Sequence, residues 1–426
     1  MNWSKEKAAR FDQQIAAEEA KRWKRAWITT TVAGLLLLVL IFFLLRMMRG
    51  DSEFYLKQAR QELQAANNSD EVTLKLEHAA KARDAANRSL QLDTTSPAAN
   101  LLLAASLAIR QDDPNFRIEE TQMLIDAKSK LAIKDCKTLD LWQAGVAFFY
   151  SGDNQLADEA LTEAFSRNEL RAEILNTLIQ VRYDRASENS VLELSQELAK
   201  LEPDNCLPWI ATAYVYEDRQ ALEQLVTTYR ELLKRNCEGQ DMTRWKLVER
   251  LIEIGSVSEA ETEWNLLNEK SPEFAKTRPS TNAKLLYLQG KNEETRILVD
   301  EILSADPDDL DAIQLRGQLY LANDKATDAM AYFRRLIELD PTHPQAHYLL
   351  GQAYSKAGMR EEAKQELALH ERLLNELVQL HAMERNAAAD SNNAQIRLAI
   401  AQKYEELGLH KIAEYWLQQA NAISRQ

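Results

Sequence analysis

Residues 310–367 repeat with a period of 34: Gly317 and Gly351, Tyr320 and Tyr354, Ala329 and Ala363, and Phe333 and Leu367 each stand 34 positions apart. A small–aromatic–small–apolar pattern at this period marks a helix–turn–helix repeat. Each unit is two antiparallel helices that cannot bury their apolar faces alone. Stacked units bury a continuous core and leave a long concave surface, better suited to binding peptides and proteins than to chemistry. Glycine and proline are scarce, 11 and 9 in 426 residues, as a nearly all-helical chain requires.

In the stretch LRGQLYLANDKATDAMAYFRRLIELDP, Gly317 is the small residue, Tyr320 follows three later, Ala329 sits at the helix crossing, Phe333 follows it and Pro341 closes the unit. The next unit carries Leu350, Gly351, Tyr354, Gly358 and Ala363. These residues resemble the tetratricopeptide repeat family. Gly145, Gly152, Ala157 and Leu161 fit the same pattern upstream, as do Gly255, Ala260 and Trp264, then Leu286, Gly290 and Ile302, and finally Ala401, Tyr404, Gly408 and Ala413. Units ending near Pro203 and Cys237 are degenerate, and residues 52–134 match only as helix pairs. The resemblance implies an all-α fold, a right-handed α-solenoid of roughly ten helix pairs. Its expected divisions are atypical pairs at 51–137, a solenoid at 138–385, and a linker with a final pair at 386–426.

A membrane helix is expected ahead of the solenoid. Trp27 to Leu45 is a run of 19 residues without a charge, and about 20 apolar residues at about 1.5 Å each span a bilayer core. The span is placed at 26–46, behind a short cytoplasmic segment at 1–25. The segment is long for a cleaved leader, and no small-x-small site follows the apolar run, so it reads as an uncleaved signal anchor. Lys21, Arg22, Lys24 and Arg25 abut it on one side and Arg46 and Arg49 on the other. That bias puts the N-terminus inside and the repeats on the extracytoplasmic, periplasmic side of an inner or plasma membrane.

Residues 1–50 hold nine basic and four acidic residues; the rest, by subtraction from totals of 52 and 66, holds 43 and 62, a charge of −19. An acidic domain repels phosphate backbones, so nucleic acid is not an expected partner. Of three cysteines, none forms CxxC. Cys206 opens the first helix of its unit and Cys237 closes the second, which sets the two side by side as a candidate disulfide; two separate thiols are the alternative. His343 and His347 are four apart, but no third metal ligand is evident. No phosphate loop, nucleophile elbow or HExxH motif occurs, so no enzyme, cofactor or metal site is expected.

In the repeats this chain resembles, the first helix of each unit lines the concave groove. The inward places fall on Trp142, Phe149, Tyr150, Tyr214, Trp245, Gln318, Tyr348 and Gln352. The aromatic members suit interface anchors, and the glutamine amides suit an extended peptide backbone; core packing is the competing role for the tryptophans. Gly351 to Ala401 is 50 residues, so one unit is longer, and 361–385 reads as a lengthened helix able to self-associate or to cover the groove. The expected function is a membrane-tethered scaffold for protein or peptide partners. Alternatives are a structural subunit that uses the solenoid ends, and a cytosol-facing receptor if the topology is reversed.

Overall fold

The computed structural model describes residues 51–111, 113–235, 237–389 and 393–424. The expected membrane helix at 26–46 and the segment 1–25 lie outside the described residues. Among the described residues no helix is long and apolar enough to cross a membrane. They form twenty-one α-helices without strands, in two compact units divided between Arg167 and Asn168.

The first unit contains α1 (Ser52–Asn67), α2 (Val72–Leu92), α3 (Pro97–Ile109), α4 (Ile118–Ser129), α5 (Thr138–Tyr150) and α6 (Asn154–Ser166). Ser96 caps α3 by accepting from the Ala99 amide, and Pro97 occupies its first turn, where a missing N–H costs nothing. From Ala99 to Ala108 every residue of α3 is buried; a helix apolar all round belongs in the centre of its unit. Charge enters this core only in pairs. Asp140 of α5, 0% exposed, accepts two hydrogen bonds from Arg60 of α1, at 2.5 and 3.1 Å. Glu120 of α4 is held between Arg83 of α2 and Arg110 of α3. Removing either partner of such a pair would strand a buried charge.

The second unit is built of hairpins: α7 (Arg171–Asp184) with α8 (Glu188–Leu201), α9 (Leu207–Asp218) with α10 (Leu222–Lys234), and α11 (Gln240–Glu253) with α12 (Val257–Lys270). A short α13 (Pro272–Lys276) follows. Then come α14 (Pro279–Leu288) with α15 (Asn292–Ala305), α16 (Leu310–Ala322) with α17 (Ala326–Leu339), α18 (Pro344–Lys356) with α19 (Arg360–Ala389), and α20 (Ala394–Glu406) with α21 (His410–Ser424).

One local rule generates these hairpins. A Cβ on Gly145 would lie 2.5 Å from Leu161, one on Gly351 3.0 Å from Leu367, and one on Gly317 would overlap the Phe333 ring. In each pair the facing residue comes 16 positions later. Ala213 with Tyr229, Val248 with Trp264, and Ala283 with Val299 keep that separation inside shared buried clusters. Seven positions after the small residue the chain reverses through a left-handed turn. Gly152, Gly255, Gly290, Gly358 and Gly408 serve there, with φ of 76–81°. Ala186, Gln220 and Asp324 hold the same place at φ of 51, 52 and 55°, a conformation costing an L-residue about 1–2 kcal/mol.

The hairpins ending near Pro203 and Cys237 therefore have the same geometry as the others, although their sequences look degenerate. The lengthened helix is α19, and it runs to Ala389, into the stretch read from sequence as a linker from 386. Leu380 and Ala387 of α19 form a core with Ile400 of α20, with Trp416 of α21 packed against it. The same helix exposes Leu374 and Val378.

Gly317→Ala forces Phe333 out of its seat and should cost about 1–3 kcal/mol, as overpacking of a core does. Gly255→Ala meets no neighbour within 4 Å and should cost about 1–2 kcal/mol through its backbone angle alone. Scanning calorimetry of both variants separates the two causes, because Phe333→Leu should rescue only the first.

Candidate partner-binding face

The first helices of the second unit are joined by a ladder of side chains. Tyr183 of α7 donates to the Asp218 carboxylate at 3.1 Å, and its ring lies 5.8 Å from that of Tyr214 on α9. Lys246 of α11 reaches Glu217 at 3.0 Å and stands 6.0 Å from the Tyr214 ring. Further along, Thr281 of α14 donates to Glu249 at 2.6 Å, while Lys284 bridges Glu249 at 3.1 Å and Asp311 of α16 at 2.8 Å. Tyr214, Glu217 and Asp218 share a face because residues three and four apart align on a helix.

Acids and bases are interleaved along the α7–α11 part of this face: Glu217 pairs with Lys246, and Glu253 pairs with Arg250 at 2.9 Å. Burial pushes the carboxyl pKa of both Asp218 and Glu253 above its ordinary value. Burial also raises the phenols of Tyr183 and Tyr229, each reinforced by an acid it bonds, Asp218 and Glu217 respectively. Lys284 shows the opposite balance: burial alone would lower its pKa, and Glu249 and Asp311 outweigh that and raise it.

Two adjoining hollows share Glu217 and Gln220. One, of about 440 Å³, is walled by Leu222, Leu225, Arg250 and Glu253. The other, of about 420 Å³, is closed by His381, Glu384 and Arg385 of α19. Arg385 donates to the Asp218 carbonyl at 3.4 Å and pairs with Glu188 at 3.5 Å. The end of α19 thus returns to the hairpins 167 residues earlier and sets one cation among their acids.

The residues expected at the groove fall into distinct settings. Tyr150 is 58% exposed, with Lys75 4.3 Å above its ring and Phe149 half-buried beside it. Trp142 is half-buried, and its indole N–H has no hydrogen-bond partner among the described residues. Tyr214, 46% exposed, lies in the acidic cluster. Trp245 is engaged between hairpins: its Nε1 donates to Thr281 at 2.9 Å, and Arg278 stands 4.7 Å over its ring. Tyr348 turns to its own hairpin partner, 5.3 Å from His370. Gln318 and Gln352 are half-buried. Only Tyr214 and Trp245 of the second unit belong to the linked stretch of ladder from α7 to α16.

Cys206 and Cys237 are joined by a disulfide with Cα atoms 6.0 Å apart, inside the 4.4–6.8 Å range the bond requires. It ties the residue before α9 to the chain just beyond α10. Cys136 is a buried free thiol whose pKa burial pushes up to about 12, so it is inert rather than nucleophilic.

Sequence reasoning missed Tyr183, Glu188, Asp218 and Arg385. Tyr183 gave no repeat signal, since it lies 31 residues before Tyr214, three short of the 34-residue period. Arg385 gave none either.

Residues 320–376 match the tetratricopeptide repeat family. Among curated proteins the chain has no match. Among solved structures it is similar to a tetratricopeptide repeat protein from Parabacteroides merdae, at 18% identity and a TM-score of 0.46, covering 59% of this chain and 98% of that one. It is also similar to the APC/C hetero-tetramer Cut9–Hcn1, at 11% identity and a TM-score of 0.34, covering 84% and 75%. Human IFIT1, solved as a dimer with PPP-AAAA, gives 14% identity and a TM-score of 0.34, covering 81% and 94%.

Asp218 and Glu253 hold their protons more tightly folded than unfolded. Their ionisation therefore costs stability above the folded pKa, and that cost disappears as pH falls through it. Asp218→Asn, which keeps an acceptor for Tyr183, should raise the unfolding temperature at neutral pH and lose that advantage in acid. Thermal scans of both proteins across the acid range would read this directly.

Proposed function

From a tetratricopeptide-repeat protein, matched to that family over residues 320–376, we propose a membrane-tethered scaffold that holds a basic protein segment against the first-helix face of α7, α9 and α11. The observation that carries this reading is the exposed Tyr214 ring on the same face of α9 as Glu217 and Asp218, with the Asp218 carboxyl raised in pKa by burial. An aromatic anchor beside carboxylates suits a lysine- or arginine-bearing chain. The mechanism is recognition without a covalent step. A tether at Trp27–Leu45 would raise the local concentration of whatever the face holds.

The repeats are assigned to the extracytoplasmic side. The excess of basic residues before the apolar run supports that orientation, and a disulfide fits an oxidising compartment. A second reading, contact between copies through α19, is favoured by Leu374 and Val378, which are 45% and 63% exposed.

Binding of a fluorescein-labelled lysine-rich peptide tests the face. Tyr214→Ala with Glu217→Gln should weaken it at least about tenfold, the loss expected of an interface anchor. Unchanged binding by the folded variant would remove the face from consideration. Topology has its own test: Gln58→Cys, exposed on α1, should react with a membrane-impermeant maleimide in intact spheroplasts. Labelling only after lysis would place the repeats in the cytosol.

A further inference from the structure

The opposite side of the same hairpins carries a second opening, independent of the face just described. α8 and α10 both pack on α9, and between them lies a cleft of about 440 Å³ lined by Leu192, Ser195, Pro208, Trp209, Tyr216 and Glu223, among others. On α9, Pro208, Thr212 and Tyr216 recur every fourth residue, on the side away from Tyr214 and Asp218.

The hairpin beside the cleft departs from the size pattern of the others. Sixteen positions after the small residue the other hairpins place a bulky side chain, such as Leu161, Tyr229, Trp264 or Phe333. The α7–α8 hairpin inverts the sizes, with Ile179 first and Ser195 second. Ser195 also lines the cleft. Ser195 is 2% exposed, and among the described residues its hydroxyl has no hydrogen-bond partner. The Trp209 indole N–H lining the same cleft is also buried and unpartnered. Buried donors are nearly always paired, so two on residues that line one cleft point to an acceptor-bearing occupant.

The indole is also fixed in place. Arg235 lies 4.2 Å over its ring and is itself held by the Pro203 carbonyl at 2.8 Å and by Glu231 at 2.9 Å. The Cys206–Cys237 disulfide pins the start of α9 to the chain beyond α10. At the mouth, Glu223 is exposed and forms no ion pair among the described residues.

We propose that this cleft binds an extended, lysine-bearing peptide segment. One aliphatic side chain seats against Leu192 and Pro208, backbone carbonyls accept from Ser195 and Trp209, and a lysine meets Glu223. An extended strand supplies this combination because its carbonyls and side chains alternate along the chain.

The test follows the indole N–H resonance of Trp209 in the full chain in detergent, assigned with Trp209→Phe. The probe is a short capped peptide with a central leucine flanked by lysines. The expected result is a saturable downfield shift. Ser195→Ala and Glu223→Gln should each weaken binding about three- to tenfold, while Tyr214→Ala leaves it unchanged. No shift at saturation would overturn the proposal, as would equal affinity for a glutamate-flanked peptide. Loss of binding in Tyr214→Ala but not in Ser195→Ala would move the peptide to the first-helix face and sink the cleft alone. A shift produced by protein concentration without peptide would assign the cleft to a second copy, against the proposal.

Discussion

The close approach of two helices at one point in each hairpin is the constraint on which the rest of the structure depends. Where the first helix carries glycine, the second supplies Phe333, Leu161 or Leu367. Where it carries alanine, the second supplies Tyr229 or Val299. The volumes trade against one another because interiors are packed to crystal density and only volume-conserving exchanges are tolerated. The turn seven residues on and the 34-residue spacing follow from this seat. So does the register that brings Tyr183 to Asp218, Lys246 to Glu217 and Thr281 to Glu249.

This explains which parts of the fold were legible in the residues. Glycines at 145, 317 and 351 declare a seat, and glycines at 152, 255, 290, 358 and 408 declare a turn. Ala186 and Gln220 adopt the same left-handed turn without glycine's signature, so two regular hairpins read as degenerate. Residues 386–389 were read as the start of a linker, although three of the four are alanine, the strongest helix former. They continue α19, and Ala387 is buried against Ile400, a contact with the next hairpin.

The candidate face was legible to a lesser degree. Helical spacing located Tyr150 and Tyr214, and both are exposed. The same spacing could not tell Tyr214 from Trp245, whose indole is committed to Thr281, or from Tyr348, which leans on His370. Those outcomes depend on neighbours about one unit away. The Arg385 contact with Glu188 and Asp218 depends on the length and direction of α19, which no short pattern specifies. The acidic character was visible in the total charge. The burial that opposes ionisation of Asp218 and Glu253 is a property of the folded chain alone.

The disulfide has a mechanical meaning for an array of this kind. Stacked hairpins hold only their neighbours, so tension along the chain peels them away one after another. A covalent bridge 31 positions wide removes its hairpin from that sequence. At roughly 3.3–3.6 Å per extended residue, the bridged loop withholds about 100 Å of slack that a reduced chain would pay out. Load arriving at Cys206 bypasses α9 and α10 and leaves at Cys237. That hairpin, with the carboxylates of α9, keeps its shape while the rest of the array lengthens around it.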